Sequence, residues 1–251
     1  MAPSPAPGTR PEGVEPEQAG AHVRAMFDRI APTYDRANHL LSLSVDRYWR
    51  WRTVRRLRHA LPAGVPARVL DICCGTGDLS LALRAGLPQA QVIGGDFAHE
   101  MLLRARAKTA EVAWVQADGM RLPFPDASFA AVTSAFGFRN LTDYRAGLAE
   151  FQRVLAPGGV LAILEVSRIR LPLLGGLYSL YFDRLLPKLG GWISGDAAAY
   201  RYLPESVTRF PAPPELALWM QEGGYRQVRF LRFGGGIASL HIGIRPAILN
   251  L

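Results

Sequence analysis

Three aspartates stand at the ends of successive strand-like runs: Asp71 in "VLDICCGTGDLS" (69–80), Asp96 in "IGGDFAHEML" (93–102) and Asp118 in "QADGMRLPFPD" (116–126). The first precedes Gly75 and Gly77, a G-x-G turn that opens a helical stretch. Glycines at such a turn let backbone N–H groups approach a ligand, and the helix start favours negative charge. The loop alone suits a dinucleotide pyrophosphate and an amino-acid carboxylate equally well. The residues around it separate the two. Ser80 replaces the third glycine of a dinucleotide fingerprint, and Asp71 places a negative charge that suits an ammonium group better than a pyrophosphate. Asp96 is placed to accept both hydroxyl hydrogens of a ribose. Asp118 can accept from an adenine amino group while the Gly119 N–H faces a ring nitrogen. Each aspartate alone also serves as a helix or turn cap. Together, at this spacing, they describe a cationic, adenosine-containing ligand, S-adenosylmethionine.

The elements that must position these residues alternate. Short apolar runs at 67–72, 91–95, 112–117, 129–136 and 160–166 are separated by helical stretches near 78–86, 98–108 and 143–155, which predicts a parallel sheet covered on both faces. A helix at 213–223 is followed by two β-like runs, 225–233 and 237–244, joined only by Gly234–Gly236. So short a connection demands antiparallel pairing. The spacing therefore predicts a mostly parallel seven-stranded α/β sheet with an antiparallel C-terminal hairpin. Helices over 21–60, broken around Pro32, and a helical insertion over 168–210 are left to form a lid above the strand ends.

Composition bounds the rest. With 251 residues, 49% of them hydrophobic, the chain buries a full core as a single domain over 21–251. The Pro-rich residues 1–20 lack an apolar signal core and predict a disordered leader. "LPLLGGLYSLYF" (171–182) falls short of the roughly 20 residues that span a bilayer. Cys73 and Cys74 are adjacent, so they neither clamp a loop nor complete a metal site, which suits a reducing cytoplasm; no metal is expected. The net charge of +8 points to nucleic acid or an anionic membrane surface. Much of it gathers in "DRYWRWRTVRRLRH" (46–59), an amphipathic helix whose basic face turns either to solvent or to a membrane or polyanion.

The chain resembles the C-methyltransferases of menaquinone and ubiquinone biosynthesis, a branch of the class I S-adenosylmethionine-dependent methyltransferases with a Rossmann-like fold. The general features are "VLDICCGTGDL", "GGDFAHEML", "LPFPDASF" and "RVLAPGG"; the branch-specific ones are "FDRIAPTYDRANHLLSLSVDRYWR", "AFGFRNLTD", "GDAAAYRYLPESVTRFP" and "GGGIASLHIG". By that resemblance cofactor contacts fall on Thr76, Asp96, Phe97, Asp118 and Gly119, with Asp71, Gly75 and Gly77 shaping the loop. Ala135 stands where many relatives carry a serine, so a hydroxyl contact there is lost or passes to backbone.

The resemblance implies that a polyprenylated quinol accepts a methyl group on a ring carbon, demethylmenaquinol ahead of a ubiquinone-pathway benzoquinol, with dimers and a cytoplasmic, membrane-adjacent location. A quinol carbon is a poor nucleophile until a ring hydroxyl ionises, and a fixed positive charge eases that ionisation. Arg139 is the best-placed cation in the sequence, with Asn140 beside it to orient a hydroxyl or a water. Tyr34 and Tyr200 are candidates to complete a polar pocket. His241 and Glu165 are candidate proton acceptors. "SAFGFRN" replaces the Asn/Asp-Pro-Pro-aromatic motif of amino-methylating DNA enzymes, so no nucleic-acid partner is expected. The rivals are a methyltransferase acting on RNA or another small molecule and, from another class, a nicotinamide-dependent oxidoreductase.

Overall fold

The computed structural model describes residues 8–61, 67–167 and 195–247. Strands β1 (Arg68–Ile72), β2 (Gln91–Asp96), β3 (Ala113–Gln116), β4 (Phe129–Ala135), β5 (Leu155–Val166), β6 (Arg226–Phe233) and β7 (Ala238–Ile244) form one seven-stranded sheet, ordered β3-β2-β1-β4-β5-β7-β6. The first five are parallel; β7 runs antiparallel to both β5 and β6. The Gly234–Gly236 turn thus folds β7 back between β5 and the edge strand. β5 starts at Leu155, earlier than the apolar run at 160 suggests, because Leu155 pairs with Phe129 before a register shift to Ala131 and Val160.

Helices α4 (Asp78–Gly86), α5 (His99–Lys108) and α6 (Tyr144–Val154) connect the parallel strands, and α8 (Pro213–Glu222) leads into β6. Side-chain alternation along each strand divides the core into two layers. Val69, Ala131, Ala162 and Leu164 pack with Trp49, Leu79 and Leu83 on one face. Leu70, Ile72, Val132 and Ile163 pack with Phe138, Tyr144, Phe151 and Met220 on the other. Each fully buried large side chain contributes about 1.5–3 kcal/mol, so both faces resist sliding.

Above the strand ends lie α1 (Ala19–Ile30) and α2 (Tyr34–Leu41), with α7 (Ala197–Arg209) against α1, while α3 (Val45–Ala60) packs along the sheet face beside α4 through Trp49, Val54 and Leu57. Val23, Met26, Ile30, Tyr200 and Tyr202 share an apolar cluster with Met101 of α5, which fixes the lid to the sheet body. Of the expected cap over 168–210, residues 168–194 lie outside the described residues, as does the run at 171–182.

The leader expected over 1–20 differs in its second half. Residues 1–7 lie outside the described residues, but Thr9 is buried: its N–H donates to the Leu141 carbonyl at 2.7 Å and its hydroxyl meets the Tyr202 hydroxyl at 2.6 Å. Ala19 already belongs to α1. Composition does not register such anchoring, because two long-range hydrogen bonds hold the segment rather than an apolar pattern.

Candidate active site

The chain leaves β1 outward to β2 and β3 and returns to β4 on the other side of β1, so the sheet has its switch point between β1 and β4. Ligands of open α/β sheets bind beyond such a point. The loop after β1 uses left-handed backbone at alternate residues: Cys73 (φ 56°), Gly75 (φ 55°) and Gly77 (φ 85°). Gly77 has a second constraint, since a Cβ there would lie 2.4 Å from the Trp114 ring. At the end of β4, a Cβ on Gly137 would lie 2.4 Å from the Cβ of Cys73. The two loops touch only because that glycine is bare.

A chamber of about 660 Å³, its open mouth included, sits above these loops. Of the residues singled out from the sequence, Tyr34, Gly75, Asp96, Phe97, Asp118, Gly119 and Asn140 line it. Asp96 is buried, and each of its oxygens receives one backbone N–H, from Gly75 at 2.8 Å and from Ala98 at 2.9 Å. A carboxylate oxygen has two lone pairs, so both retain acceptor capacity. Burial pushes its pKa up to about 6 against those two N–H donors. Asp118 is exposed and accepts from the Met120 N–H at 2.9 Å in a tight turn. Asn140 accepts from the Tyr202 hydroxyl at 2.9 Å, which joins it through Tyr202 to Thr9. Burial raises the Tyr34 pKa, with Arg139 pulling the other way, so the phenol stays protonated at neutral pH.

Other candidates sit elsewhere. Asp71 is fully buried and accepts from Ser80 at 2.6 Å and Thr133 at 2.9 Å, and burial lifts its pKa to about 7. Strand alternation turns it onto the α4 face, beneath the loop, so it braces the turn instead of meeting an ammonium group. That also accounts for Ser80 at the third glycine position. The Thr76 hydroxyl donates to Asp35 of α2, and Gly77 is packed on Trp114; neither lines the chamber. Ala135 ends β4 in the core layer shared with Trp49, and the lining falls to Phe136 and Gly137 after it.

Arg139 and Glu165 form a buried pair at 3.0 Å, and the Glu165 carboxylate also accepts the Arg139 backbone N–H at 3.1 Å. The guanidinium donates further to the Phe136 carbonyl and to Ser206 at 3.3 Å. Arg139 is therefore not a free cation in the chamber; it ties together the turn that presents Phe136 and Asn140. Glu165, with both oxygens engaged, is not a free proton acceptor.

His241 lies in mid-strand opposite Ile163, on the face covered by α8, where Nε2 contacts the Pro213 carbonyl at 2.9 Å and the ring lies beside Phe230. Burial lowers its pKa to about 4, and its distance from the chamber removes it as a general base. Tyr200 is buried in the lid cluster, not in the chamber lining. Burial also pushes both cysteine thiols well up, which leaves them protonated and unreactive.

The lining also contains Phe27, Met101, Met120, Phe136 and Leu141, an apolar half that residue chemistry did not single out. All five stand inside the quoted motifs, but an apolar residue type there carries no signal distinguishing it from core.

Comparison with known proteins agrees with this fold. Residues 15–245 match the model of the ubiE/COQ5 methyltransferase family. The chain is 48% identical over 225 residues to a demethylmenaquinone methyltransferase of Thermus thermophilus, covering 88% of this chain and 100% of that one. It is 45% identical over 230 residues to a ubiquinone/menaquinone biosynthesis C-methyltransferase UbiE of Syntrophotalea carbinolica, covering 90% and 95%. Among solved structures, a SAM-dependent methyltransferase of Thermotoga maritima superposes with a TM-score of 0.62 at 20% identity, over 89% of this chain and 100% of that one. A phosphoethanolamine N-methyltransferase of Haemonchus contortus, solved with S-adenosyl-L-methionine, gives 0.56 at 15% identity, over 78% and 52%.

Proposed function

The chain belongs to the ubiE/COQ5 methyltransferase family, and from that premise we propose that it methylates a ring carbon of demethylmenaquinol within the chamber beneath the N-terminal helices. It is an S-adenosylmethionine-dependent C-methyltransferase of quinone biosynthesis, which removes the oxidoreductase reading. The single observation that carries the chamber assignment is the shared lining: nucleoside-type acceptors, Asp96 and Asp118, face the same space as Tyr34 and Asn140.

The residues present fit the co-substrate. Asp96 keeps free lone pairs for a ribose diol, and Asp118 with the Gly119 backbone suits an adenine edge. Phe97 and Met101 supply apolar contact for the base. S-adenosylmethionine brings an already activated methyl group on a sulfonium, so the protein's part is alignment and exclusion of water. Such positioning lowers a barrier by as much as about 7–11 kcal/mol when geometry is ideal.

On the acceptor side, Asn140 and the Tyr34 hydroxyl are the polar groups that reach the quinol. They hold the ring hydroxyl whose ionisation activates its ortho carbon. Arg139 acts from behind, by positioning Asn140 and Phe136, and Glu165 neutralises it. With Glu165 and His241 engaged elsewhere, the hydroxyl proton passes to solvent water at the chamber mouth; after the ring carbon takes the methyl group as the carbon–sulfur bond breaks, the hydrogen on that carbon leaves as a proton by the same water and the oxygen regains one, restoring the aromatic quinol. Among the described residues no helix is long and apolar enough to cross a membrane. We place the enzyme in the cytoplasm, where a membrane-held quinol is reached from the bilayer surface.

The test is product mass spectrometry after incubation with S-adenosylmethionine and either the naphthoquinol or the benzoquinol. One added methyl on the demethylmenaquinol ring is expected. Methylation confined to the benzoquinol, as the name of the Syntrophotalea relative also allows for that protein, rejects the naphthoquinol assignment.

A further inference from the structure

The corner where α2 meets α3 shows apolar side chains to solvent instead of hiding them. Leu40 is 60% exposed, Leu43 81%, Tyr48 48% and Trp51 51%. Leu43 (φ 50°) and Ser44 (φ 59°) are consecutive left-handed residues, a costly backbone for side chains with a Cβ. That strained turn holds Leu43 outward at the tip. Soluble surfaces carry scattered apolar residues, but a cluster on a strained turn marks an interaction site.

The charge along the helix behind the tip names the partner. α3 turns Asp46, Trp49, Thr53, Val54 and Leu57 inward and leaves Arg47, Arg55, Arg56 and Arg58 exposed. Asp46, the one carboxylate of this helix, is buried and paired with Arg50, so nothing acidic on α3 offsets the outward arginines. A groove between α3 and α4 is bordered by Arg47, Arg55, Arg58 and His59. The aromatic rings are held in place: Tyr48 stacks on Trp51 at 5.9 Å, Arg55 covers Trp51 at 5.6 Å and Arg52 covers Tyr48 at 5.6 Å. Leucines at a tip, amphipathic aromatics behind them and arginines around both match the depth profile of an anionic bilayer surface: acyl chains, interface, headgroups.

We propose that the α2–α3 corner docks on anionic phospholipid bilayers, with Leu40 and Leu43 entering the acyl boundary and Arg47, Arg55 and Arg58 engaging headgroups. The position of the corner supports its use. Tyr34, in the chamber lining, begins the helix that Leu40 nearly ends, about 9 Å away by helical rise. Docking therefore brings the chamber within reach of a bilayer-held acceptor, a consequence that rests on the quinol reading, while the docking itself does not.

The experiment is flotation of the full-length protein with vesicles of phosphatidylcholine alone and of phosphatidylcholine with phosphatidylglycerol. Wild type should float with the anionic vesicles only, and less as salt rises. The double variant Arg55→Gln, Arg58→Gln should lose roughly thirtyfold in partitioning. The double variant Leu43→Ser, Trp51→Ser should lose binding to the same vesicles, and unchanged S-adenosylmethionine affinity shows that both variants are folded.

Equal binding to neutral and anionic vesicles, no binding, or variants that float like wild type overturns the proposal. So does sedimentation showing that the Leu43/Trp51 pair holds a dimer while vesicle binding survives its loss. A protein that floats as expected yet methylates neither quinol keeps the docking surface and sinks the substrate reading. One that methylates a short-tailed quinol yet never floats does the reverse.

Discussion

A carboxylate that accepts from a ribose has to be charged, and burial at Asp96 resists that charge. Its folded pKa of about 6 lies above the ordinary aspartate value of 3.8. The native state therefore binds more protons than the unfolded chain between these values, and this contribution to stability, full below about pH 4, is lost as pH rises through 6. Asp71, raised to about 7, acts with the same sign. Thermal unfolding of the free protein should show these contributions decline from pH 4 to 7. S-adenosylmethionine affinity, measured by calorimetry, should move the other way, falling as pH drops below about 6. Asp96→Asn should bind at least tenfold more weakly and lose that pH dependence, since the charge-assisted bonds to the ribose are each worth about 1.5–3 kcal/mol. The Arg139–Glu165 pair behaves differently. Glu165→Ala leaves a buried guanidinium without its partner, which costs about 3–5 kcal/mol, or roughly 6–20 °C in Tm. Asn140→Ala should lower kcat sharply while costing only about 1 kcal/mol, roughly 2–4 °C in Tm, for the lost Tyr202 bond, since Asn140 also lines the chamber.

At the scale of elements, the loop after β1 and strand β3 depend on one another. The Trp114 ring lies where a Cβ would sit on both Gly77 and Gly94, at 2.4 Å and 2.3 Å. Gly77→Ala therefore meets a steric conflict in addition to its left-handed φ. A loss of about 2 kcal/mol or more is expected, lowering Tm by roughly 4–8 °C. Trp114→Leu on that background should recover part of the loss, and a strictly additive double mutant would show that the ring is not the obstacle. A second coupling joins α2 to α5 and the loop: Asp35 accepts from Thr76 and pairs with Lys108 at 2.7 Å, and Lys108 also reaches Asp78 at 2.7 Å. The nearby His39, Asp46 and Asp78 cluster is bridged by Arg50, so its carboxylates have cationic partners from the chain itself.

Across the whole molecule, the chamber is closed by segments far apart in sequence. Thr9 bonds Tyr202, Tyr202 bonds Asn140, and the Thr9 N–H bonds Leu141 in the chamber wall. Thr9→Val removes one buried hydroxyl contact, worth about 1 kcal/mol, and should reduce turnover severalfold. Deleting residues 1–12 should leave the unfolding midpoint within roughly 5 °C, because the sheet is untouched, while raising KM for the quinol. An unchanged KM would show that this segment merely covers the lid.

The alternation of apolar runs, the bare Gly234–Gly236 link and the positions of Asp96 and Asp118 were legible before any folding was considered. They depend on local periodicity and on strand ends, which are properties of contiguous residues. Residue type alone did not tell which carboxylates face the chamber. Asp71 and Asp96 stand near the ends of neighbouring strands with similar local sequence, yet the register pairs Asp71 with Gly94, so Asp96 lies two residues further out on the same face, in the lining, while Asp71 is covered by Ser80 of α4. Arg139 and Glu165 looked like separate candidates because 26 positions separate them, and pairing across the strand ends made them one neutral unit. His241 was attractive by chemistry alone, but its pairing with Ile163 places it in mid-strand, where the Pro213 carbonyl of α8 takes its Nε2. Sequence thus determined the sheet and the cofactor class. Tertiary structure decided which polar groups remain free, because side-chain direction and long-range pairing exist only once the strands are in register.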